Sequence, residues 1–149
     1  MQPTDAKAKQ LRESIRDVIR QFRRSDAELA TQPQGDISFP EVHVIEFLGD
    51  RRACMMRELA EYLLVAVNTV TSIVDKLEQK KLVRRERDET DRRIVMAQLT
   101  ELGLEAYQGI LTARLNACRT MLAPLNEDEQ DIFMVLMRKI ARGGEANHP

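Results

Sequence analysis

A mainly α fold with one small β-hairpin is predicted by three features of the sequence. Apolar residues recur at steps of three and four along six separate stretches, which is the period of a helix with one buried face. Only Leu82–Leu99 abandons that period, for two short runs around a polar turn. Residues that start or stop helices stand between the stretches, so each element has definable ends.

The first helix is expected from about Thr4 to Glu28, with Leu11, Ile15, Val18 and Phe22 on one face. Thr31–Asp36 contains Pro and Gly and reads as a loop. The second helix starts at Ser38, whose pairing with Glu41 matches a capping box, and Pro40 fits the first turn, where a missing N–H costs nothing. Val42, Ile45 and Leu48 form its inner face, and Gly49 is expected to end it. Met56–Leu63 is a short helix, and Val67–Lys80 follows after a tight connection. Leu82–Arg87 and Arg93–Leu99 are the strands of the hairpin, joined by Asp88–Arg92. Thr100 caps a long helix to about Leu122, with a stripe of Leu104, Tyr107, Leu111, Leu115 and Cys118, stopped by Pro124. Asn126 and Glu129 cap a last helix lined by Ile132, Phe133, Leu136 and Ile140. It is expected to end at Gly143-Gly144, before a loose tail at Glu145–Pro149.

The 149 residues suit one domain, and 43% hydrophobic residues exclude a disordered chain. Lys and Arg number 23 against 24 Asp and Glu, a net charge of −1, so nothing in the total charge announces a polyanion partner. The polar start of the chain lacks the apolar segment of a signal peptide, and no run is long enough to span a bilayer; a cytoplasmic location and no membrane partner are expected. Cys54 and Cys118 are too few for a disulfide scaffold or a metal-ligand pattern. His43 and His148 are not at metal spacing, and no phosphate loop or nucleophile elbow is present. Neither a catalytic site, a metal nor a cofactor is expected.

The charges matter through their placement. On the helix Val67–Lys80, Val70, Ile73, Val74 and Leu77 share one face and must be core. Asn68, Thr69, Thr71, Ser72 and Lys76 then lie on the opposite face and its flanks. Short donors and acceptors at the start of such a helix suit base edges in a major groove, and Lys76 suits a phosphate. Asp75 also points outward and is expected to pair with a neighbouring arginine. Arg84, Arg85, Arg87, Arg92 and Arg93 crowd into the hairpin, where like charges repel unless phosphates neutralise them. Asp88, Glu89 and Asp91 dilute that cluster.

The stretch Leu82-Val83-Arg84-Arg85-Glu86-Arg87-Asp88-Glu89-Thr90-Asp91-Arg92-Arg93, with Leu99-Thr100 and Gly103 after it, resembles the wing signature of the MarR family of bacterial transcription regulators. Arg57-Glu58-Leu59-Ala60, Thr69-Val70-Thr71 and Asp75-Lys76-Leu77-Glu78 resemble that family's helix-turn-helix. The resemblance implies a winged helix-turn-helix DNA-binding part at residues 37–100 and a helical dimerisation part at residues 1–36 and 101–149. It implies a homodimer on a roughly palindromic operator, most often as a repressor released by a small aromatic or phenolic effector. By the same resemblance Asn68, Thr69, Thr71, Ser72 and Lys76 face the groove. Arg84, Arg87, Asp91, Arg92 and Arg93 form the wing contacts, with Arg93 entering the minor groove beside Asp91. Phe22, His43 and Phe47 would line the effector crevice. Two positions depart from the family pattern: Ala66 stands where a Ser or Thr cap is usual, and Lys81 where Gly is usual. Two other readings remain open at this point. The near-neutral charge fits a winged-helix module that binds protein, and Cys54 or Cys118 fits a thiol-switched regulator, although the apolar stripe around Cys118 argues for its burial.

Overall fold

The computed structural model describes the backbone of residues 3–29 and 37–145 and the side chains of residues 3–25 and 37–143. The expected loop at Thr31–Asp36 and the tail beyond Glu145 lie outside the described residues. In chain order the elements are α1 (Asp5–Leu29), α2 (Phe39–Arg51), β1 (Ala53–Met55), α3 (Met56–Leu63), α4 (Val67–Gln79), β2 (Val83–Arg87), β3 (Val95–Leu99), α5 (Glu101–Leu122) and α6 (Glu127–Glu145). All six predicted helices form. The hairpin gains a third strand, β1, which the sequence reading omitted. The sheet is antiparallel in the order β1-β3-β2, with Cys54 opposite Ala97 and Arg85 also opposite Ala97.

Contact density divides the chain into two compact units, Met1–Arg114 and Leu115–Pro149. In the first, Val42, Val44, Ile45 and Leu48 of α2 meet Leu59 of α3, Val70, Val74 and Leu77 of α4, Leu82, Val83 and Ala97 of the sheet region, and Ala106 and Ile110 of α5. Full burial of each large aliphatic side chain stabilises the fold by roughly 1.5–3 kcal/mol. This core fixes which face of α4 is left outside.

Local chemistry sets the helix ends. Ser38 Oγ accepts the Glu41 N–H, as a cap should. The Glu41 carboxylate accepts from the Ser38 hydroxyl and from Lys80 Nζ at 2.6 Å, so it serves a buried ion pair in addition to its cap. The helix does not stop at Gly49. It runs on to Arg51 and is closed by Arg52, at φ 69°, whose N–H bonds to the Leu48 carbonyl. Gly49 has another role: a Cβ there would collide with the ring of Tyr107. The ring lies on bare helix backbone, and its hydroxyl donates to Asp50 at 2.6 Å.

Helix α5 meets the core through residues outside the apolar stripe. Gly103, Ala106 and Ile110 are buried, whereas Leu104, Leu111 and Leu115 are exposed, as is Cys118. Small residues let the helix approach the sheet closely, and a Cβ on Gly103 would strike the Leu82 carbonyl oxygen. The stripe of large residues is thus the outer face of α5 in this chain. Helix α1 likewise exposes Leu11, Ile15, Val18 and Ile19.

In the second unit, Asn126 and Glu129 exchange reciprocal 3.0 Å cap bonds at the start of α6. Gln130 Nε2 donates to the carbonyls of Leu122 and Leu125, which satisfies acceptors left free where α5 ends. Helix α6 passes through Gly143, contrary to expectation, and Ile132, Leu136 and Ile140 are exposed.

Candidate nucleic-acid interface

The outer face of α4 carries the predicted groove residues. Asn68, Thr69, Ser72 and Lys76 are exposed and, among the described residues, their side chains have no hydrogen bond or ion pair. Thr71 differs: its hydroxyl donates to the Val67 carbonyl at 3.0 Å. Ala66 supplies no side-chain cap, and the first turn closes instead through the Ala66 carbonyl, which accepts from Thr69 and Val70.

The exit of α4 follows from Lys81. This residue sits at φ 61°, in the left-handed region that favours glycine. Its N–H bonds to the Glu78 carbonyl, and the Leu82 N–H to the Leu77 carbonyl, which is the paired pattern of a Schellman helix end. The fold therefore keeps the geometry of the usual glycine without the glycine. The Thr100 hydroxyl then donates to the Lys81 carbonyl at 2.6 Å and accepts the Gly103 N–H at 3.0 Å.

The wing arginines divide by task. Arg85 turns toward α4, where its guanidinium donates to Asp75 at 2.5 Å and to Glu78. The hydrogen bond it donates to Glu78 favours its charged form above all. Asp75 thus finds the arginine partner expected for it, and one of the two negative charges beside the outer face is offset. Arg84 lies 3.5 Å from Glu86, and both are well exposed. Arg87 donates to the Arg92 carbonyl across the turn. At the tip, Asp91 Oδ1 accepts the Arg93 N–H at 3.1 Å and its Nε at 3.2 Å, while the Arg93 side chain remains 92% exposed. Asp88 accepts from the Thr90 hydroxyl and closes the turn. An open cleft of ≈470 Å³ separates this tip from the start of α4, lined by Met55, Met56, Thr71, Arg85, Arg93 and Ile94 among others.

The suggested effector residues are not joined to one another by any hydrogen bond or ring contact among the described residues. Phe22 is half-buried on α1. His43 meets the Phe39 ring edge-on at 4.6 Å and lies 3.6 Å from Glu46. Phe47 is buried under Tyr62, at 4.4 Å, with the Arg51 guanidinium 3.9 Å over its ring. The cysteines also separate. Cys54 is buried, and burial, aided by the charge of Glu58, pushes its thiol up to about 11, which keeps it protonated and unreactive near neutrality. Cys118 is exposed rather than buried.

The sequence reading missed two cross-links that position this face. Lys80, at the end of α4, meets the buried Glu41 of α2. Arg114 of α5 donates to Glu46 of α2 at 2.6 Å. Both pairs are far apart in sequence, so no local pattern marks them.

Residues 37–95, which contain α2 to the wing tip, match the sequence model of the MarR family. Over this stretch the chain is similar to the MarR family. Among curated MarR-like proteins it is similar to the HTH-type transcriptional regulator MhqR of Bacillus subtilis (strain 168), with 29% identity over 108 residues, covering 72% of this chain and 74% of MhqR. Its identity to YkoM, another HTH-type transcriptional regulator of that organism, is 33% over 99 residues, covering 66% of this chain and 64% of YkoM. Among solved structures it shares its fold with Streptococcus pneumoniae FabT, crystallised in complex with DNA. The TM-score is 0.85 at 21% identity, over 95% of this chain and 99% of FabT. These MarR-family relatives are transcription regulators, not enzymes. No helix among the described residues is long and apolar enough to cross a membrane.

Proposed function

We propose that the chain is a MarR-family transcriptional regulator that binds a specific duplex DNA site as a homodimer, with α4 as recognition helix and the β2–β3 hairpin as wing. The observation that carries the reading is the division of polar groups around α4. Its core-facing side is dry, its acidic flank is partly offset by Arg85, and Asn68, Thr69, Ser72 and Lys76 stand exposed without partners among the described residues. Arg93, oriented by Asp91, supplies an exposed cation at the wing tip, and Arg84, Arg87 and Arg92 add phosphate-neutralising charge.

Residues 37–100 serve as the DNA-binding part and the terminal helices as the dimerisation part. The exposed stripes Leu11, Ile15 and Ile19 on α1 and Ile132, Leu136 and Ile140 on α6 support that assignment, because large apolar stripes call for a partner surface. Two-fold symmetry would set the recognition helices about one DNA turn (roughly 34 Å) apart on a palindromic operator. A dimer clamped across a promoter blocks transcription, so repression is the default output. A small aromatic effector beside Phe22, His43 and Phe47 would release it by favouring a spacing that no longer fits the operator.

The test is fluorescence anisotropy on duplexes selected from a random pool by the purified dimer, titrated over salt. Binding should fall steeply with salt, and one sequence with internal two-fold symmetry should be enriched. Salt-insensitive association, or a pool that stays random after selection, contradicts the reading and favours a protein-binding module.

A further inference from the structure

The recognition face carries two kinds of surface. Asn68, Thr69, Ser72 and Lys76 make a polar strip whose side chains have no partner among the described residues. Beside it lie Val67 and Thr71, four residues apart and therefore stacked on one side of the helix. Val67 is 45% exposed although it is an aliphatic residue at the first position of α4. Thr71 has already given its only hydroxyl proton to the Val67 carbonyl. It has no donor left for guanine O6 or N7 or thymine O4, and its remaining outward chemistry is a methyl group and oxygen lone pairs. Both residues line the cleft beside the wing, whose other walls include Met55, Met56, Ile94 and Val95. Base-edge acceptors find no donor on Val67 or Thr71, whereas the thymine 5-methyl projects into the major groove and is read by apolar contact.

We infer that Val67 and the Thr71 methyl form a thymine-methyl reader, which makes one position of each half-site specific for thymine without a hydrogen bond. The inference rests on the DNA-binding reading above and adds the base class that this part of α4 selects. Thr71, grouped with the hydrogen-bonding residues on sequence grounds, acts here through its carbon atoms.

The experiment uses the selected duplex and replaces each thymidine by deoxyuridine, one symmetric pair of positions at a time, with the dimer in each titration. At one position per half-site, loss of the methyl should weaken binding about fourfold per half-site, the effect of one buried methyl-sized group at ~0.8 kcal/mol. Thr71→Val, which keeps the methyl, should preserve this thymine-over-uracil ratio. Thr71→Ser and Val67→Ala should reduce it toward one, with circular dichroism and dimer mass unchanged. Indifference to deoxyuridine at every position overturns the inference while leaving sequence-specific binding intact. So does the opposite ranking, in which Thr71→Ser keeps the ratio and Thr71→Val loses it. Failure to enrich any sequence overturns this inference and the DNA-binding reading together.

Discussion

Arg85 of the first wing strand reaches Asp75 of α4 at 2.5 Å and holds Glu78 with the same guanidinium. One side chain thus fixes the wing to the recognition helix and halves the negative charge that Asp75 and Glu78 would present to phosphates. Arg85→Ala should weaken operator binding more than tenfold and lower stability by about 1 kcal/mol, since partly exposed ion pairs contribute little to folding. Anisotropy and urea unfolding separate the two effects. A stability loss with unchanged DNA affinity would count against the positioning role.

The Arg93 side chain is 92% exposed, and among the described residues its polar partner is Asp91. Arg93→Ala should strongly weaken DNA binding, reduce the slope of log K against log salt by about 1, and leave the unfolding midpoint unchanged. An unaltered slope assigns the residue no phosphate or groove contact.

Gly49 gives the Tyr107 ring its seat. Helix propensity alone predicts that Gly49→Ala stabilises α2 by up to about 1 kcal/mol. Displacement of the ring reverses the sign, and a net loss of about 1–3 kcal/mol is expected. In a double-mutant cycle, Gly49→Ala should cost much less in a Tyr107→Ala background.

Lys81 holds a left-handed conformation at the end of α4. Lys81→Gly should stabilise the chain by about 1 kcal/mol, raising Tm by roughly 2–4 °C. A fall in Tm would mean that the lysine side chain compensates the backbone strain.

The Cys54 thiol is pushed from its ordinary value of 9.0 to about 11 by burial. Below pH 9 it is protonated in both folded and unfolded chains, and its contribution is fully present. Between pH 9 and 11 the unfolded chain loses the proton first, so stability falls as pH rises and levels off above 11. Two pKa units correspond to roughly 2–3 kcal/mol. The stability difference between the parent chain and Cys54→Ala, from urea unfolding at pH 8 and 10.5, should shrink accordingly. Iodoacetamide at pH 8 should label Cys118 and spare Cys54.

The helices were legible because burial of one face imposes a period that the sequence must carry. The wing was legible because strands and turn interrupt that period with charge. Strand β1 escaped notice since three residues between two helices leave no alternation to see, and its partner, β3, lies more than forty residues away. The α5 stripe was legible, but the face that meets the sheet was not, because close approach there selects Gly103 and Ala106, which leave no apolar period to see. Gly49 was taken as a stop signal because its local meaning and its packing meaning coincide in composition. Among five wing arginines, nothing local singles out Arg85. The clue lay on α4, where Asp75 and Glu78 on an outward flank required a cation.

The Thr100 hydroxyl serves the Lys81 carbonyl at the α4 exit and a first-turn amide of α5, that of Gly103, with the same oxygen. The Gly103 amide is thereby a built-in reporter. Its hydrogen exchange and its resonance position register strain arriving from either side, whether the operator pulls on α4 or a subunit partner shifts α5.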